Sequence, residues 1–71
     1  MVIGSSKIEF EHRTGNTTLL GIDSEIPIKW MGKKVEIAGK EFSALIVYDL
    51  PNHIAVKGVG SFLGKTINFL S

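Results

Sequence analysis

Residues 40–50 read Lys40-Glu41-Phe42-Ser43-Ala44-Leu45-Ile46-Val47-Tyr48-Asp49-Leu50. In an extended chain Phe42, Ala44, Ile46, Tyr48 and Leu50 fall on one side, and Ser43, Leu45, Val47 and Asp49 on the other. This is the longest strand-like run in the chain and the one with apolar residues on both faces. A strand apolar on two sides is either central and covered within its own domain, or packed against a second molecule. The run is therefore expected to be the spine of a small β domain.

Shorter strands flank it. Lys7-Ile8-Glu9-Phe10-Glu11 alternates, with Ile8 and Phe10 predicted on one face and charges on the other. Arg13-Thr14-Gly15-Asn16 supplies turn residues, and Thr17–Ile22 returns with Leu20 and Ile22 one way and Leu19 the other, so a hairpin is expected. Pro27 lacks a ladder donor, which makes Ile26–Met31 an edge or connecting segment that tucks Ile28 or Trp30 inward. Lys33–Ile37 resumes alternation, and Ala38-Gly39 turns into the spine to give a second hairpin. Pro51-Asn52 suits the two central positions of a β-turn before a strand at His53–Lys57. Gly58, Gly60 and Gly64 punctuate a loop around Phe62, and Lys65–Leu70 is the last strand.

No helix-length run has a 3.6-residue period. The expected fold is all-β: residues 1–71 as one small antiparallel β-barrel or roll of five to six short strands, of the SH3-like or OB-like kind, without substantial helix. At 71 residues with no cysteine, the fold has neither disulfides nor thiolate zinc to lean on. The 44% hydrophobic content then implies either a very complete core or apolar surface kept for a partner.

Eight Lys and Arg against seven Asp and Glu give a net charge of +1, which argues for neither nucleic acid nor an anionic membrane as a whole-molecule partner. No apolar run nears the roughly 20 residues of a membrane span. The first residues lack the apolar core of an export signal, so a cytoplasmic location and no membrane partner are expected.

Motifs for chemistry fail on inspection. Gly58-Val59-Gly60-Ser61-Phe62-Leu63-Gly64-Lys65-Thr66 has an ending that resembles a P-loop, but that motif needs four residues between its glycines and a helix after them. Gly60 and Gly64 are separated by three residues, Gly58 and Gly64 by five. Glycines bending a strand around Phe62 are the better reading. His12 and His53, even with Glu9, Glu11 or Asp49, show no ligand spacing, so no metal site and no cofactor are expected. No serine or threonine sits in an activating pattern, and no catalytic residue is assigned.

Two surfaces remain. If the barrel closes over Phe42, Ile46 and Tyr48, then Leu45 and Val47 must be covered by the Ile26–Met31 segment, by the Gly58–Gly64 loop, or by another subunit. The leading expectation is a non-catalytic binding or assembly module, homo-oligomeric or bound to another protein, with Leu45 and Val47 at the interface. The alternative is a barrel that binds single-stranded RNA or DNA through Lys29, Trp30, Lys33 and Lys34, aided by Lys57 and Lys65. Against it, the single tryptophan of a domain short of core volume belongs inside or at the rim.

Overall fold

The computed structural model describes residues 1–30, 34–47 and 49–71. Met31, Gly32, Lys33 and Tyr48, with the side chain of Ile46, lie outside the described residues. Six strands form the fold: β1 (Val2–Thr14), β2 (Thr17–Ile22), β3 (Lys34–Ile37), β4 (Lys40–Ile46), β5 (His53–Lys57) and β6 (Thr66–Leu70). They pair antiparallel in the closed ring β1-β2-β5-β4-β3-β6, with β6 returning to β1. The single helical turn among the described residues is a 3₁₀ turn at Ile28–Trp30. An all-β antiparallel barrel is thus the architecture.

β1 closes the ring by serving two partners. Residues 2–7 pair with β6, and residues 8–14 pair with β2. At the changeover Ile8 lies opposite Ile22 but Phe10 lies opposite Gly21, so β1 carries an extra residue there. Such a bulge rotates the following side chains by one position. Ile8 is fully buried, whereas Phe10 is 46% exposed on the outside of the barrel. The expectation that Ile8 and Phe10 share the buried face is corrected by this bulge.

The core is made by alternate residues of five strands. Ile8, Leu20, Ile22, Val35, Ile37, Ile54, Val56, Ile67 and Phe69 are buried and in mutual contact. Phe42 and Ala44 of β4 are half-buried against that cluster. The run at residues 40–50 is therefore a wall of the barrel, not its spine. Its strand ends at Ile46, and Leu50 is exposed near a turn.

Side chains from two connections stop the open ends. Ile26, held by its N–H to Pro51 O at 2.9 Å, is buried at the end where β2 finishes and β5 begins. Trp30 lies at that same end, its ring 5.2 Å from Phe69. Ile28 points to solvent, so of the two inward residues expected from 26–31 Trp30 fills the role. Phe62 stops the opposite end, buried and edge-to-face with Phe42 at 5.3 Å. Thr18, the one buried polar side chain among the described residues, donates Oγ1–H to Gly58 O at 2.7 Å and ties the Phe62 loop to β2.

Both tight hairpins have two-residue turns. Thr14 lies opposite Thr17, with Gly15 at φ +60°, and Ile37 lies opposite Lys40, with Ala38 at φ +53° and Gly39 at +82°. Ala38-Gly39, with positive φ at both central residues, is a type I′ turn, where asparagine and glycine are favoured. Ala38 is an L-residue held in the left-handed region at a cost of about 1–2 kcal/mol. Ala38→Asn is expected to stabilise the fold by about 0.5–1 kcal/mol, and a thermal melt should move up by roughly 2–8 °C.

Candidate functional site

The closed ring has two outer faces of different chemistry. On the β1-β6-β3-β4 side a polar row crosses the strands: Ser5 opposite Asn68, Asn68 opposite Glu36, and Glu36 opposite Glu41. Ser5 Oγ donates to Asn68 Oδ1 at 2.7 Å, and Asn68 Nδ2 donates to Glu36 Oε1 at 3.3 Å. Lys34 Nζ approaches Glu41 Oε1 at 4.0 Å. This is a hydrated face whose like charges at Glu36 and Glu41 are offset by neighbouring donors.

On the β1-β2-β5-β4 side the rows are uncharged apart from histidine. One row runs His12, Leu19, Ala55, Leu45, each residue directly opposite the next on the adjoining strand. A second runs Phe10, Gly21, His53. Phe10 packs edge-on to His53 at 5.5 Å, above Gly21, where an added Cβ would meet Phe10 Cβ at 2.9 Å and His53 Nε2 at 3.0 Å. Gly21 is what lets the two rings close over the strand between them. Thr14, Thr17 and Lys57 form the next row and bound the patch with polar groups.

His53 is fixed within this face. Asn52 Nδ2 donates to Ile22 O at 3.2 Å, which leaves Asn52 Oδ1 to accept from His53 Nδ1 at 2.7 Å. The β-turn that carries these residues has the expected form, with Pro51 and Asn52 central and His53 N–H donating to Leu50 O at 3.0 Å.

Leu45 and Val47 are placed as follows. Leu45 is 43% exposed, so neither residues 26–30 nor the Phe62 loop buries it. Val47, just past the end of β4, is half-buried. The sequence missed Phe10, Leu19 and Ala55 as members of this face. Leu19 was legible as outward-facing, but Phe10 reaches the outside only through the bulge.

The described residues of the nucleic-acid reading fall in two groups. Lys29 and Trp30 lie at one end of the barrel, and Lys34 begins β3 at that end. Lys57 ends β5, and Lys65 precedes β6, at the opposite end. Lys33 lies outside the described residues. Trp30 is half-buried, and its indole lies so close over Gly4 that a Cβ added there would overlap Cζ2, Cη2 and Cε2 of the ring. Gly4→Ala is expected to push the indole out, with a loss of about 1–3 kcal/mol. Since Trp30 is the only tryptophan, a red-shifted emission maximum in folded protein would report the displacement directly.

Among the described residues no three His, Asp or Glu side chains come together as metal ligands, and no helix is long and apolar enough to cross a membrane. No protein-family model, curated protein or solved structure matches the chain.

Proposed function

We propose that this protein is a non-catalytic assembly module that pairs with a second copy of itself through the outer face of β1, β2, β5 and β4. One observation carries the reading: Phe10, Leu19, Leu45 and Ala55 form an apolar field across four adjoining strands, with no Asp, Glu, Lys or Arg in either row. Leu45 and Phe10 are 43% and 46% exposed, an arrangement suited to burial by a partner.

The closed ring directs how copies meet. Among the described residues the six strands neighbour one another in a closed ring, which favours association face to face over edge to edge. Two uncharged faces match each other under a two-fold axis without any need for charge pairing, and a two-fold dimer is the commonest closed assembly. A standard interface takes about 800 Å² from each partner. Against 4359 Å² of accessible surface, that is one face of this molecule.

Mechanism in this reading is surface complementarity. The bulge at Ile8–Phe10 turns an aromatic ring outward, Gly21 lets it settle against His53, and Leu19, Ala55 and Leu45 extend the contact. Light scattering on the purified chain at moderate salt tests it. A mass of twice 7.7 kDa at micromolar protein is expected. A mass of 7.7 kDa throughout the accessible concentration range would overturn the proposal.

A further inference from the structure

At the barrel end stopped by Phe62, a cleft of about 170 Å³ opens between the β3–β4 hairpin and the 58–65 loop. Phe42, Phe62 and Ile37 contribute its apolar lining, and Lys40, Lys65 and Ser61 its polar groups, with no carboxylate among the lining residues. A second opening shares Gly60 and Ser61 and adds Arg13 and Glu11. The Glu11 carboxylate already accepts the Phe62 N–H at 3.1 Å, so it is held back against the loop.

The loop that forms one wall is braced rather than loose. Gly58 N–H donates to Asn16 O at 2.7 Å, Gly64 N–H to Ile8 O at 2.9 Å and Lys65 N–H to Phe62 O at 3.0 Å. The Gly58 and Gly60 backbones lie against aromatic rings, since an added Cβ would meet Phe42 at 2.8 Å and Phe62 at 3.3 Å respectively. The N–H groups of Gly60 and Ser61 have no partner among the described residues. Lys40, Lys65, Ser61 and the Gly60–Ser61 backbone thus line a pocket together with two aromatic residues.

We infer that this cleft binds a ring-sized ligand carrying a carboxylate or a phosphate. A cavity of about 150 Å³ is enough to take a benzene ring, and the anionic group would lie between Lys40 and Lys65 in reach of the Gly60–Ser61 amides. The site is not a P-loop, because a strand and not a helix follows it. It lies at the end of the barrel, apart from the apolar face of β2 and β5, and does not depend on self-association.

The test is an amide chemical-shift titration of the full ¹⁵N-labelled chain with benzoate and with phenyl phosphate, controlled by benzyl alcohol and inorganic phosphate. Saturable shifts confined to residues 38–42 and 58–65 are expected with at least one of the two acids, and which acid binds tighter identifies the anion. Each control should bind at least about tenfold more weakly, and the double variant Lys40→Gln, Lys65→Gln should lose about tenfold while keeping its other resonances. Both lysines are exposed, so folding is not at issue. Absence of saturable shifts with both acids, equal binding of benzyl alcohol, equal binding of inorganic phosphate, or undiminished binding by the double variant would each overturn the inference.

Discussion

Leu45→Asp is expected to convert the proposed dimer to a monomer while leaving every strand in place. The side chain is 43% exposed in the free barrel and has no part in the core, so the folded monomer should lose no more than about 0.5 kcal/mol. In the proposed dimer the two-fold axis puts two carboxylates into a dry interface with no lysine or arginine in either row to meet them. Burying an uncompensated charge costs about 3–5 kcal/mol, so association should weaken by at least a hundredfold. Sedimentation velocity reads the mass, and far-ultraviolet circular dichroism reads the strands. Thr66→Asp on the polar face provides the contrast, and its dimer should match the wild type. If both variants dissociate alike, the apolar face is not the contact.

Phe69→Ala should have the largest effect on folding. Phe69 is fully buried, lies opposite both Gly4 and Val35, and carries the Trp30 ring at 5.2 Å. Removing a buried phenyl ring costs about 3–5 kcal/mol. A domain of this size has only roughly 4–11 kcal/mol to lose. The variant is therefore expected to melt roughly 12–40 °C below the wild type, with Trp30 emission shifted toward that of an exposed indole. The proposed dimer would stabilise only the folded form, so the folded fraction should rise with protein concentration. A variant that stays folded with native tryptophan emission would show that the barrel core does not rest on this residue.

Much of the fold could be read from local chemistry. Gly15 and the Ala38-Gly39 pair mark turns that the backbone makes with positive φ, and His53–Lys57 and Thr17–Ile22 alternate with the period of a half-buried strand. The longest strand, β1, was legible only from Lys7 onward. Gly4-Ser5-Ser6 has the composition of a loop, but Gly4 is there because the Trp30 indole needs bare backbone beneath it. The bulge left no mark in the perfect alternation of Lys7–Glu11. Its one trace is Gly21, a glycine inside a strand, which announces a close approach without naming Phe10 as the visitor. Residues 40–50 are one wall strand among six and hold no central place in the ring. Two-sided hydrophobicity fits either a covered central strand or a face kept for a partner, and the exposed Leu45 puts its outer half on the surface proposed for assembly.

The seam between β1 and β6 also governs how quickly the molecule can form. Residues 2–7 must find residues 66–70, so the ring is sealed by contacts between the most distant parts of the sequence. Closing so long a loop before any reward arrives places folding in the slow range, about milliseconds to seconds, for a chain of this size. Until the seam shuts, β3 and the first half of β1 each present a ladder of open donors and acceptors to any passing strand. Closing the seam gives those two ladders their partner, so exposure to misassembly is greatest in the interval before β6 arrives.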